Sequence, residues 1–502
     1  MLPSIFDESL LILSDVHLGN DLNDLAVDGE RRSEQVDQDL ANLLAHYRRA
    51  PPSGRRWRLV IAGDFIDFVG MTILPRAGDP ETQTSDEERS HGLGNGVDHG
   101  RIKLRAVAAR HAVVFDALAW FVADGHALTI VHGNHDVEFH WDALKEELRS
   151  LLVLSAQRAR ATSTATTAGD TDTFAEEFSS RIEFAPWFYY VGGVAYIEHG
   201  HQYDTMCSTE HVMAPLSPLD PKRIARSFSD VLLRWVVRPT RGVPEYGHDK
   251  MGLADYVMLG VRMGFGGLLR LLGRFLAAVF ELLRMRRAYR SDAARFRREE
   301  NERRMGVLAV VSRVGMERLR ALAALQVPPV TRSIQKILAS VLLDRLALAL
   351  GAAGAMSILA LTASRHAWLW PVVALAAGAW VVAHRLLTLR RRAWFGETLD
   401  NQEALVERAG HLARLFPAAF VVMGHTHCPA MVAVAQGTST YVNVGSWHEA
   451  ETSGVDDGSK YRAARTHLVI HPAPAGPTAE FLAWEPGGPR TFVSPPRRVD
   501  QA

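Results

Sequence analysis

Carboxylate, imidazole and carboxamide side chains recur in five short segments of this sequence, each directly after an apolar run. The segments are Asp15-Val16-His17, Gly63-Asp64-Phe65-Ile66-Asp67, Gly133-Asn134-His135-Asp136, His199-Gly200-His201 and Gly424-His425-Thr426-His427. Oxygen and imidazole-nitrogen donors of this kind suit Mn²⁺, Fe or Zn²⁺ rather than a thiolate-bound metal. In an extended segment, side chains two apart share a side, which pairs Asp15 with His17 and His425 with His427. Glycines beside Asp64, Asn134 and His425 allow the tight turns that aim several side chains at one point. Singly these signals are weak, because a His-x-His is usually incidental and a Gly-Asp after a strand is commonly a turn. Five of them in series, each ending an apolar run, point to one shared metal site.

Positioning those side chains requires strands that end where the ligands begin. Apolar runs at 10–13, 57–62 and 127–131 read as buried strands, with helices over 33–49 and 102–123 between them. Strands separated by helices predict a layered α/β core, whose chemistry sits on loops at the carboxyl ends of its strands. A strand pair is expected at 182–198, with further strands at 418–423, 439–444, 465–471 and 478–484. Residues 75–100 and 155–180 read as polar or low-complexity loops, and the tail from 485 is rich in Pro and Gly.

The 502 residues include 56 basic and 56 acidic side chains, with 47% hydrophobic and 22% charged. That apolar content supports a sizeable core and excludes wholesale disorder. The zero net charge excludes a basic nucleic-acid coat. Two cysteines, Cys207 and Cys428, exclude a disulfide scaffold and fit a reducing compartment. Residues 1–10 include Asp7 and Glu8 and lack the basic region that opens a signal peptide.

With all five segments present and in order, the chain resembles the calcineurin-like metallophosphoesterases, whose signature is D-x-H, G-D, G-N-H-D, a separate His, and G-H-x-H. Asn443-Val444-Gly445-Ser446-Trp447 also resembles the closing strand and turn of that family. The resemblance covers 8–204 and 402–485. It implies a four-layer α/β/β/α sandwich holding two divalent metal ions, Mn²⁺ foremost, with Fe or Zn²⁺ as alternatives. By the same resemblance, Asp15, His17, Asp64 and His427 hold one ion. Asp64, Asn134, His199 and His425 hold the other, with Asp64 bridging. A water acidified between the ions then attacks phosphorus in line, with no covalent phospho-enzyme. His135 gives a proton or a hydrogen bond to the phosphoryl or leaving oxygen, and Asp136 orients it. The fourth segment offers two histidines, and the family pattern of His followed by Gly favours His199 over His201. Asp67 is open between a carboxylate that holds a ligand histidine and an ordinary loop residue. His132 and His448 read as supporting residues.

Residues 205–400 match no family pattern. The chain therefore divides into a first core part, 1–204, a helical insertion, 205–400, a second core part, 401–485, and a tail, 486–502. In the insertion, 253–285 reads as an amphipathic helix whose Arg262, Arg270, Arg274, Glu281 and Arg284 fall on one arc of ~120°. Residues 281–304 read as a solvated, Arg- and Glu-rich helix. Two uncharged apolar runs, 346–363 and 367–383, are separated only by Ser364-Arg365-His366 and predict an antiparallel hairpin that enters a bilayer. A buried protein interface is the other reading of that hairpin. Trp368, Trp370 and Trp380 suit an interface with lipid, and Lys336, Arg345, Arg390, Arg391 and Arg392 put both hairpin ends on the cytoplasmic side. The expectation is a metallophosphoesterase on the cytoplasmic face of a membrane, a bacterial inner membrane, cleaving a phosphoester, phosphodiester or pyrophosphate bond of a lipid-linked substrate. The UDP-2,3-diacylglucosamine pyrophosphatases are similar in motif order. They are far shorter, however, and have G-N-R-D where this chain has Gly133-Asn134-His135-Asp136. Two alternatives stand beside this. A phosphodiesterase of soluble nucleotides or nucleic acid is disfavoured by the acidic residues among the arginines of 281–304. A non-catalytic membrane scaffold is disfavoured by the intact ligand set.

Overall fold

The computed structural model describes residues 8–25, 34–49, 54–76, 78–79, 81–162, 171–240, 258–259, 262–290, 292–340, 343–395, 402–448 and 464–493. Alternation along the first strand, β1 (Glu8–Leu13), splits its side chains between two cores: Leu10 and Ile12 enter one apolar cluster, Leu11 and Leu13 another. The same alternation recurs in β2 (Arg56–Ala62), where Val60 and Ala62 join the first cluster and Leu59 and Ile61 the second. With β3 (Ala127–Val131) and β4 (Ile182–Ala185) these strands run parallel. Leu13 pairs with Ile61, and Val131 pairs with both Ala62 and Ala185. The carboxyl ends of all four strands therefore finish side by side.

A second group follows: β5 (Phe188–Val191), β6 (Gly193–Glu198), β7 (Ala418–Met423), β8 (Ala430–Val434) and β9 (Ser439–Asn443). They form a five-stranded mixed sheet in the order β5-β6-β7-β9-β8, with β6, β7 and β9 parallel. Of the last strands, β10 (Thr466–His471) pairs antiparallel with β1, β11 (Thr478–Glu485) antiparallel with β10, and β12 (Gly488–Thr491) antiparallel with β11. They complete a seven-stranded mixed sheet in the order β12-β11-β10-β1-β2-β3-β4. One apolar cluster is shared by both sheets and includes Ile12, Val60, Ile197, Val422 and Val442. Burying each such side chain stabilises the fold by about 1.5–3 kcal/mol. Helices Glu34–Arg49, Val97–Arg110, Ala112–Ala123 and Asp142–Thr162 cover the other face of the larger sheet through Leu40, Leu104, Leu118 and Leu148. Helices Met316–Leu325 and Gln402–Leu415 cover the smaller sheet through Leu319, Leu405 and Leu412.

Several expectations are corrected. The single helix over 102–123 is two helices bent by 92° at His111. Buried His111 pulls the chain inward there: its Nδ1 lies 2.6 Å from Asp37 Oδ2, and its Nε2 accepts from Gly19 N at 3.0 Å. The loop at 75–100 contains a helix, Asp86–His91, closed by a reciprocal Ser85–Glu88 capping box. The 155–180 stretch continues the helix to Thr162 and adds Thr171–Ser180, which buries Phe178; residues 163–170 lie outside the described residues. The pair at 182–198 is three strands shared between the sheets, and β8 and β12 were not expected. The amphipathic helix runs Gly264–Ala288, and the start of the expected range, 253–257, lies outside the described residues. The solvated helix begins only at Ala293 and runs to Val311.

Candidate metal centre

The five segments of candidate ligands leave the carboxyl ends of β1, β2, β3, β6 and β7. Nine non-glycine residues among those described have positive φ, and five are Asp15, His17, Asp64, His425 and His427, at 53°, 49°, 53°, 67° and 56°. An L-residue in this left-handed region costs roughly 1–2 kcal/mol, and such strain gathers at functional sites. Interlocked backbone bonds hold it in place. Asp15 N donates to Gly63 O at 3.1 Å, His17 N to Asp64 O at 2.9 Å, and Asp67 N to Leu18 O at 2.9 Å. Gly424 N donates to His199 O at 3.1 Å, which joins two loops of the smaller sheet, and Trp447 N donates to Asp15 O at 3.1 Å, which ties the loops of the two sheets together.

Close approach fixes two glycines. A Cβ at Gly133 would overlap the Asp64 carboxylate, and one at Gly424 would overlap Ser14 Oγ and the Asp15 carboxylate. Gly133→Ala is therefore expected to weaken metal retention by ~10–100-fold, the range for disturbing groups that orient ligands. Metal content after dialysis measures this, and an unchanged far-UV circular dichroism spectrum should accompany it.

Two knots of donor atoms form. In the first, His427 Nε2 lies 3.0 Å from Asp15 Oδ1 and 3.3 Å from His17 Nε2. His17 Nε2 lies 3.8 Å from Asp15 Oδ1 and 3.7 Å from Asp64 Oδ2. In the second, His199 Nε2 lies 3.2 Å from Asp64 Oδ2 and 3.1 Å from Asn134 Oδ1. Asp64 stands in both.

The chemistry of these atoms calls for a cation. His199 Nδ1 lies 2.9 Å from the Ala62 carbonyl oxygen, so Nδ1 carries the ring proton. In the neutral ring, Nε2 then turns a lone pair toward two oxygen acceptors, which repel it unless positive charge lies among them. Asp15 is fully buried, and its Oδ1 faces the His427 imidazole rather than solvent. Burial alone would raise the Asp15 and Asp64 carboxyls. His427 and His199 nonetheless hold Asp15 well below the usual range, and His199 and His135 do the same for Asp64. Burial would lower His199, but Asp64 and Asp15 push it up to about 9. Such a buried anionic cluster takes up positive charge, as protons on imidazole or as metal ions. Its carboxylate, carboxamide and imidazole donors fit Mn²⁺, Fe or Zn²⁺.

His425 is placed differently from the other candidate ligands. Its Nε2 lies 3.1 Å from Asp204 Oδ2, and its ring centroid is 5.3 Å from that of His199. Ligand atoms of Asp204, Cys207 and His425 lie within 4.8 Å of one another. Asp204 escapes sequence reading because it lies where the family resemblance ends and has no motif spacing. A carboxylate on one ring nitrogen of a histidine leaves the other for a metal and fixes the ring's orientation. Asp204→Asn is expected to lower metal affinity ~10–100-fold, measured by competition with a chromogenic chelator.

The carboxylate beside His135 is also corrected. Both oxygens of Asp136 accept backbone amides, from Gly133 N at 2.6 Å and Phe65 N at 2.8 Å. Asp136 thus binds the loop after β3 to the loop after β2. Adjacent residues in an extended loop point apart, and the His135 ring instead meets Asp67, whose Oδ1 lies 2.6 Å from its Nδ1. Asp67 Oδ2 also lies 3.5 Å from His17 Nδ1, so one carboxylate faces both rings. Burial would lower His135, but Asp67 and Asp64 push it up to about 10. His201 is held well below the usual imidazole range by burial and by the neighbouring His199, and its Nε2 lies 2.8 Å from Gln202 Nε2. It is His199 that faces Asp64 and Asn134. The His448 ring stands 5.7 Å from that of His17, whereas His132 is buried outside both knots, 6.4 Å from the Phe139 ring.

Comparison of the chain with protein-family models, curated proteins and solved structures found no match.

Proposed function

We propose that the chain is a metallophosphoesterase with a four-layer α/β/β/α core. It hydrolyses a phosphoester, phosphodiester or pyrophosphate bond at two divalent cations, Mn²⁺ foremost. The observation that carries this reading is the convergence on Asp64 of two donor knots whose lone pairs face one another. Asp15, His17, Asp64 and His427 would hold one ion, and Asp64, Asn134, His199 and His425 the other. Once bound, the pair supplies an acidified water as nucleophile and positive charge for the phosphoryl oxygens. The protein's own groups do the rest. Asp64 fixes the separation of the two positions, and its Oδ1 accepts from His135 N at 2.8 Å, which sets the His135 loop against it. His135, steadied by Asp67 and partly exposed, donates to the phosphoryl oxygen and delivers a proton to the leaving oxygen. The donors in the knots are almost wholly buried, which strengthens every charge interaction they make.

The test is turnover of bis-p-nitrophenyl phosphate by purified protein. Chelated protein should be inactive, and added Mn²⁺ should restore hydrolysis. Protein that holds no transition metal and gains no turnover from Mn²⁺, Fe²⁺ or Zn²⁺ would overturn the reading.

A further inference from the structure

The insertion has two apolar surfaces that no described residue covers. The first lies on helix Gly264–Ala288. One face of it, with Leu271, Ala278, Leu282 and Met285, packs against Phe228 and Val231. A second stripe, Phe265, Leu269, Leu272, Leu276 and Phe280, points away from the protein, with Phe265 78% and Phe280 70% exposed. The stripe's spacing of three and four residues follows the helical repeat, and at 100° per residue it stands about 150° from the packed face. Arg270, Arg274 and Arg284 lie on one flank between the two faces. A helix apolar on two sides belongs between two apolar surroundings, and the described residues supply only one.

The second surface is the hairpin of helices Leu343–Ala363 and Trp370–Phe395. Trp370–Arg391 is the one described helix long and apolar enough to cross a membrane, with 22 residues and none of its apolar window buried. At 1.5 Å per residue it reaches about 33 Å, against a hydrocarbon core of about 30 Å. Arg345 Nη2 donates to Thr388 Oγ1 at 3.3 Å, and Arg390 donates to Gln335. These contacts bring the start of the first helix and the end of the second together in one cationic base. The opposite end carries Trp368, 74% exposed, beside Arg365.

We propose that these surfaces seat the protein in a lipid bilayer. The hairpin inserts from its cationic base, and the outer stripe of Gly264–Ala288 lies in the headgroup boundary, so that the metal centre acts on phosphoesters borne on lipids. The match of helix length to bilayer thickness selects lipid over a second copy of the chain. So does apolar exposure all round the hairpin, since a dimer would need a single seam. Arginines at the base and along the helix flank meet anionic headgroups. The surface is also continuous with the metal loops. Phe228 and Val231, which anchor the striped helix, belong to a segment whose Arg234 pairs with Glu87 and whose Arg238 donates to Asn20 O at 3.0 Å. Asp204, directly before the insertion, touches His425. The substrate part of this inference rests on the phosphoesterase reading; the location does not.

The test uses full-length protein mixed with vesicles of phosphatidylethanolamine and phosphatidylglycerol containing a diacylglyceryl p-nitrophenyl phosphate, and floated on a density gradient. Wild type should float, remain after a carbonate wash, and hydrolyse the vesicle-borne ester. Leu375→Arg with Val382→Arg, both at exposed positions, should release the protein from vesicles. The same pair should abolish hydrolysis of the vesicle-borne ester while leaving bis-p-nitrophenyl phosphate turnover unchanged. Wild type that stays at the bottom of the gradient, or forms a discrete detergent-free oligomer, overturns the location. Flotation with hydrolysis of the soluble ester alone overturns the lipid substrate. Flotation with neither ester hydrolysed overturns the phosphoesterase reading and leaves the location standing.

Discussion

Asp64→Asn is expected to empty both metal positions and to lower turnover by roughly 10⁴–10⁶-fold, the scale of losing a group on which the others depend. Asparagine is the informative replacement. It keeps an oxygen that can accept from His135 N, the bond Asp64 Oδ1 makes at 2.8 Å, so the loop after β3 stays in place. What it removes is the charge that the two knots share. His17 Nε2 and His199 Nε2 approach the same Asp64 Oδ2, at 3.7 and 3.2 Å. Ligand atoms of Asp15, Asp64 and His199 lie within 4.8 Å of one another, but Asp64 Oδ2 is the oxygen that both imidazoles approach. Metal content by mass spectrometry and phosphodiester turnover should fall together. A variant that kept two ions per chain and near-normal turnover would show that Asp64 does not bridge.

His135→Ala is expected to do the opposite with metal while still removing most activity. Both ions should remain, and kcat should fall ~10²–10⁴-fold, the usual contribution of a positioned proton donor. His135 is not among the proposed ligands, and its ring is held by a carboxylate that is not one either. Its Nδ1 lies 2.6 Å from Asp67 Oδ1, and its ring stands edge-on to His17 at 4.7 Å. Asp67→Asn should lower kcat less than His135→Ala, because the ring remains and only its orientation and charge weaken. It should also loosen the first knot slightly through His17. Metal loss in His135→Ala equal to that in Asp64→Asn would show that His135 is a ligand rather than a donor.

The strands that present the first three segments were legible because their side chains alternate between two cores and each run stops at a polar turn, as at Leu13, Ala62 and Val131. The pairing of Asp15 with His427 across 412 positions could come only from the family resemblance, since no local spacing records which sheets meet. Periodicity also failed at His111, where a buried imidazole bonds Gly19 and Asp37 and breaks an apparently continuous helix. The partner of His135 was misread because Asp136 is its neighbour in sequence, whereas Asp67 is its neighbour in space. Asp204 was missed for the same reason: its role depends on a contact with His425 that only folding creates. The striped helix illustrates a further limit. Its hydrophobic period announced an apolar face, but only packing separates the face buried by Phe228 from the one left exposed at Phe265 and Phe280.

Titration of metal-free protein with Mn²⁺, following bound metal and bis-p-nitrophenyl phosphate turnover in the same samples, tests the central claim most directly. Binding should saturate at two ions per chain, with turnover rising chiefly as the second ion binds. Saturation at one ion with full turnover, or two bound ions with none, would contradict a dinuclear phosphoesterase built on Asp64.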